Sequence, residues 1–306
     1  MNVRGLISIF ALPQEIDDLQ NILYNLKRNM AYLPANIRMD IDITFCLSDE
    51  VTDWENSTLP REYFLEKFDS LRPLMDWSDN PKIQIEYGKN ILGCVSQRRH
   101  STQYLSNYDF TIWMDCDMFF PDSTILTLAS SYVAAKDSKF DNVIITPQFV
   151  RQWDSSWDIL VHDDYKDFKL MYHEDADIIQ DSLYDYGDLG LQPLPTFKFA
   201  GGWCTLLSND LLRHIPIPES FGHYGMEDTY ITEVCKFLHT TKTLNVVQFS
   251  VTNLLVGELY KHRCNEHMKR FVVSRNRKEE FRTIATNNFE KEYNNFMLQS
   301  MRKHHV

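Results

Sequence analysis

The residues best suited to chemistry in this chain are two pairs of carboxylates, Asp115 with Asp117 and Glu227 with Asp228. The first pair lies in the run YDFTIWMDCDMFF (108–120). Phe110, Ile112, Met114 and Cys116 alternate there with Thr111, Trp113, Asp115 and Asp117, the period of a strand. Residues two apart on a strand share a face, so this reading points both carboxylates to one place where a buried strand reaches the surface. Charges so close repel, and an apolar strand rarely carries both without a cation between them. A hard divalent metal holding phosphate oxygens meets that need. Taken alone, Asp-x-Asp is equally well read as an acidic loop after a core strand.

The second pair belongs to Gly225-Met226-Glu227-Asp228, ahead of an amphipathic stripe of Tyr230, Ile231, Val234 and Leu238. Acidic residues in a first helical turn complement the helix dipole and need no further reason to be there. Here, however, they follow the Asp115/Asp117 strand end and the triplet Gly201-Gly202-Trp203. Two missing side chains in a strand let a ligand approach the backbone.

The elements that must hold these residues can be read from hydrophobic periodicity. Strands are expected at 5–12, 40–47, 82–87 and in the run ending at Asp117, with helices at 14–31, 61–71 and 93–105 between them. The third of these helices delivers Arg98, Arg99 and His100. Beyond the carboxylates, the pattern gives a helix at 122–135 and a strand at 142–149. A strand at 197–207, a short helix at 209–214, a strand at 243–251 and a polar helical tail at 278–303 follow. Such alternation predicts a mainly parallel, doubly wound sheet. Ligands of such sheets bind beyond the carboxyl ends of the strands, where Asp49, Asp115 and Asp117 all fall.

Composition bounds the function. The 306 residues are 43% hydrophobic and 13% aromatic, enough for a large core. No apolar run nears the roughly 20 residues that span a bilayer, and the first, 5–12, reads as a strand and not a signal peptide. The six cysteines are scattered, without zinc-like spacing, so reduced core thiols and a cytoplasmic location are expected. A net charge of −12 disfavours a nucleic-acid partner but leaves room for a local basic pocket around one diphosphate. A nucleic-acid acceptor would need Lys261, Arg263, Lys269 and Arg270 to form a basic face.

Taken in order, DCDM (115–118), GGW (201–203), GMED (225–228) and a late histidine resemble the metal-dependent glycosyltransferases of the GT-A fold. The resemblance is greatest to the inverting branch of β-1,4-galactosyltransferases and chondroitin- and hyaluronan-type polymerases, and it covers roughly 5–265. It implies an α/β, Rossmann-like domain over 1–265, its mainly parallel central sheet flanked by helices, with a helical extension over 266–306. Within the domain, 1–120 would bind the nucleotide sugar and 121–265 the acceptor. The implied donor is a nucleotide-diphosphate sugar, UDP-linked by resemblance, with Mn²⁺ or Mg²⁺ as cofactor.

The metal ligands implied are Asp115, Asp117 and His262, with His267 as competitor for the third place. Asp49 matches the position that reads the base, and Arg98 or Arg99 would bond the leaving diphosphate. Gly201, Gly202 and Trp203 would lie against the donor, Trp203 stacking on a sugar or lying in the core. Asp228 would be the general base and Glu227 would hold sugar hydroxyls. A retaining enzyme and a catalytically silent glycan-binding scaffold are the alternatives. A phosphotransferase with an Asp nucleophile is disfavoured by Met118 and Phe119 after the motif. The acidic, tyrosine-rich segment 154–195 stands where acceptor loops are built and favours a neutral glycan.

Overall fold

A computed structural model describes residues 1–87, 93–153, 190–259 and 263–304. Its first strand, β1 (Val3–Ala11), lies between two parallel neighbours, β2 (Ile37–Cys46) and β5 (Phe110–Asp115). Ile7 stands opposite Ile41 on one side and Ile112 on the other. A two-residue strand β3 (Thr52–Asp53) leaves the sheet, and β4 (Lys82–Glu86) adds to β2 as a parallel edge. Beyond β5 come β6 (Met118–Phe119), β7 (Asn142–Trp153), β8 (Leu191–Pro193), β9 (Thr205–Ser208) and β10 (Val246–Leu259). The order across the sheet is β4-β2-β1-β5-β9-β7-β10-β6, with β8 beside β10.

The sheet is mixed. β9 runs antiparallel between β5 and β7, while β7 and β10 are parallel to each other. The expected strand at 197–207 shrinks to its last residues, because Gly201–Cys204 turns instead of extending. Most other expected elements fall within a few residues of those observed, but the strand expected at 243–251 runs on to Leu259, and the short strands β3, β6 and β8 have no counterpart in the periodicity. Helix α1 (Ile16–Met30) buries Leu19, Ile22, Leu23 and Leu26, with Asp17 and Asp18 in its first turn and Lys27 and Arg28 in its last. That spacing is one face of a 3.6-residue period, and the charges suit the dipole at both ends. The next helices are α2 (Arg61–Ser70), α3 (Cys94–Ser101), α4 (Thr124–Asp137) and α5 (Asn209–Leu212). They are followed by α6 (Glu227–Thr240), α7 (Arg263–Met268) and α8 (Lys278–His304).

Strand alternation divides the core. Phe110, Ile112 and Met114 of β5 face the cluster formed with α1 and α4, and Trp113 faces the cluster formed with α3, α6 and α8. Asp115 follows two residues after Trp113 and so continues the face toward α3 and α6. The four cysteines 46, 116, 204 and 235 are free and buried. No helix among the described residues is long and apolar enough to cross a membrane.

Candidate active site

The strand carrying the first carboxylate pair ends at Asp115, and Cys116–Asp117 form the turn into β6. Of the two carboxylates only Asp115 thus lies on the strand itself, and Asp117 lies on the turn that follows it. The Asp115 side chain is about half exposed, whereas Asp117, on the turn, is 7% exposed. Although the Asp115 side chain keeps about half its exposure, the protein packed around its carboxyl strips it of water and, with the neighbouring charge of Asp117, pushes it up, against the opposing pull of Arg98.

Arg98 gathers the site. Its Nη2 donates to Asp115 Oδ1 at 3.0 Å and its Nη1 forms an ion pair with Glu227 Oε1. The guanidinium carbon lies 5.1 Å from the centre of the Trp113 ring, and the side chain is 8% exposed. Both terminal nitrogens thus meet carboxylates of the protein, whereas the sequence pattern assigned Arg98 or Arg99 to the leaving diphosphate. The planar fork suits this bridging better than a lysine would.

Helix α3 holds Arg98 in place through its neighbours. The Val95 N–H donates to the His223 carbonyl at 3.1 Å, and Ser96 Oγ lies 3.0 Å from His223 Nδ1. Arg99 donates to the carbonyls of Ile217 and Pro218 at 3.2 and 2.7 Å. Arg99 is therefore a clamp on the 217–222 backbone and not a second cation in the site.

Gly202 has a steric reason to be glycine. A Cβ there would stand 1.4 Å from Arg98 Nη2. Trp203 is 5% exposed and stacks on Phe149 at 4.3 Å, with Phe199 edge-on at 5.3 Å. Of its two expected placements, the core is the one observed. A Cβ at Gly201 would strike that same indole ring at 2.1 Å.

The second carboxylate pair enters through a left-handed turn, Gly225 at φ +90° and Met226 at φ +70°, which starts α6 at Glu227. Glu227 is 2% exposed, and its Oε2 has no partner among the described residues. Asp228 is half-buried. Its Oδ1 accepts the Thr229 N–H at 2.7 Å, and burial pushes its carboxyl up while Arg98 pulls it down.

Asp49 lies past the end of β2 and pairs with Arg61 at the head of α2. His262 lies outside the described residues, as does 154–189 of the expected acceptor segment. His267 is exposed on α7 with Phe271 edge-on at 5.1 Å, and Lys269 pairs with Glu266. Two residues that sequence reading passed over, Tyr224 and Lys278, lie within electrostatic reach of Asp115. The basic run Arg275-Asn276-Arg277-Lys278 ahead of the last helix was the signal for the second.

No family model and no curated protein matches the sequence. Solved structures do match the fold. S. aureus TarS 1–349 aligns with a TM-score of 0.51 at 11% identity, over 88% of this chain and 63% of that one. GalNAc-T7 with UDP, GalNAc and Mn²⁺ gives 0.47 at 11% identity, over 84% and 44%. TarS 1–349 in complex with UDP-GlcNAc gives 0.46 at 10%, over 83% and 58%. The chain thus spans less than two thirds of the length of each. The mixed, curled central sheet with flanking helices and a C-terminal helix is the GT-A architecture.

Proposed function

We propose that this chain is a glycosyltransferase that moves a sugar from a nucleotide-diphosphate sugar, UDP-linked, to a hydroxyl of a glycan or other acceptor, with inversion. The observation that carries the reading is the Asp115–Arg98–Glu227 bridge. It joins the strand-end carboxylate to the head of the helix bearing Asp228. A GT-A sheet with an ionic cluster at the carboxyl end of its central strand has its chemistry where such sheets bind ligands.

Asp228 is the general base. Its raised carboxyl is a stronger proton acceptor than an ordinary aspartate, nearer in pKa to a working pH around neutrality. The Thr229 N–H fixes the carboxylate's orientation. Glu227 is held by Arg98 through one oxygen, and its buried Oε2 has no partner among the described residues. Arg98 aligns the two acidic elements and lowers the cost of bringing their charges together.

Asp115 and Asp117 are hard oxygen donors. Among the described residues no third His, Cys, Asp or Glu joins them in a metal cluster. Mg²⁺ is commonly held by one or two carboxylates with substrate phosphates and waters, so the pair fits such an ion. Asp117 and the remaining oxygen of Asp115 would hold it. Once bound, it would act as a Lewis acid on the departing diphosphate.

The test is hydrolysis of a panel of nucleotide sugars by the pure protein, with Mn²⁺ and with EDTA. Slow, metal-dependent release of UDP from one donor is expected, and Asp228→Asn should lower transfer at least a hundredfold, the usual scale of a lost general base. Absence of turnover together with absence of metal-dependent UDP or GDP binding would overturn the proposal. The anomeric configuration of the product tests inversion separately.

A further inference from the structure

The sequence between α7 and α8 joins the loop after β2 to the turn before Glu227. Its strand β11 (Val273–Ser274) pairs antiparallel with β3, Val273 opposite Asp53 and Ser274 opposite Thr52. The Arg275 N–H donates to the Val51 carbonyl at 3.0 Å, and Arg277 forms an ion pair with Glu50. This end of the strap is thus fastened to the loop after β2, the loop that carries Asp49. The other end is fastened to the turn before Glu227. Phe281 meets the His223 ring edge-on at 5.4 Å, and a Cβ at Gly225 would contact Arg282 at 3.4 Å. Lys278 stands between these two anchors, at the start of α8.

Its ammonium lies over the Tyr224 ring, 4.6 Å from the ring centre. Among the described residues no ion pair holds it, although its charge acts on Asp115. Tyr224 is three residues ahead of Glu227 in the chain. The carboxylates Asp115, Asp117, Glu227 and Asp228 outnumber the one guanidinium among them, so the site carries an excess of negative charge. A diphosphate entering such a site needs cations supplied on its open side, and an ammonium with its N–H donors is a compact charge for the purpose.

We infer that Lys278, oriented by Tyr224 and carried into place by the 272–278 strap, binds the diphosphate of the donor. This rests on the nucleotide-sugar reading above and gives the C-terminal segment a part in substrate recognition. Arg98 then serves the protein's own carboxylates and Lys278 the substrate's phosphates.

The experiment compares binding of UDP, UMP and uridine, and of the guanosine series, to the full chain with Mn²⁺. The proteins are wild type, Lys278→Gln, Lys278→Arg and the neighbouring control Glu279→Gln. Expected is about a tenfold loss of diphosphate affinity in Lys278→Gln, equivalent to ~1.4 kcal/mol. Nucleoside affinity should stay unchanged, Lys278→Arg should recover most of the loss, and Glu279→Gln should match wild type. An equal loss for uridine and UDP would mean that Lys278 only shapes the fold, and would overturn the inference. Unchanged UDP binding in Lys278→Gln would overturn it too, while leaving the glycosyltransferase reading intact. If wild type binds no nucleoside diphosphate, both fall together.

Discussion

Removing Arg98 would leave Glu227, at 2% exposure, as a buried charge without a counter-ion. Breaking one side of such a pair costs about 3–5 kcal/mol, and Arg98→Met should show it in urea denaturation. The double variant with Glu227→Gln should recover part of the loss, since it removes the stranded charge. Gly202→Ala places a methyl where Nη2 now lies and should displace the guanidinium from Asp115, lowering transfer more than stability. Away from the site, Asp42 is fully buried on β2, and burial pushes its carboxyl up to about 6 against the opposing pull of Gln97 and Lys82. A carboxyl whose folded pKa lies above its unfolded value costs stability on ionising. The cost is absent below the ordinary value of 3.8, grows toward 6 and is complete above it. Asp42→Asn should therefore stabilise the protein near neutral pH by up to about 3 kcal/mol, and the gain should vanish on acidification below the ordinary carboxylate range. Denaturant titrations across that range read the difference directly.

Among the elements, the placement of Arg98 depends on α3 being sewn to the 217–223 backbone. Gly93 caps that helix with a backbone conformation open to any residue, yet its hydrogen faces the His223 carbonyl so closely that a Cβ would stand 2.1 Å from the oxygen. Gly93→Ala must push the helix off the loop, an overpacking cost of about 1–3 kcal/mol. Thermal melts and transfer assays on this variant should decline together, because Arg98 rides on the same helix. Periodicity made α1 and α6 visible in the sequence, since each carries an apolar stripe in its own residues, whereas α3 buries mainly Ser96, Gln97, Arg98 and Ser101. It misjudged 197–207, where apolar residues on both sides of the double glycine imitate a strand. The glycines there answer to Arg98 and to the Trp203 ring, neither of which local pattern can register.

For the whole molecule, ligand binding and folding are linked. If Asp115, Asp117 and Lys278 hold a metal–nucleotide pair only in the folded state, UDP with Mn²⁺ at a hundred times its dissociation constant should add about 2.7 kcal/mol to stability. Calorimetry of wild type with and without EDTA reads this shift, which Lys278→Gln should reduce. The sequence by itself determined the class of fold, the strand-end position of Asp115 and the pairing of Glu227 with Asp228 at a helix start. These follow from periods of two and 3.6 residues and from turn chemistry, all of them properties of neighbours along the chain. The antiparallel entry of β9, the core placement of Trp203, the position of Asp117 on the turn beyond β5 and the partners of Arg98, Arg99 and Lys278 came from the three-dimensional fold alone. Those depend on which distant segments meet, and long side chains such as arginine and lysine choose their partners after the backbone has brought the charges together.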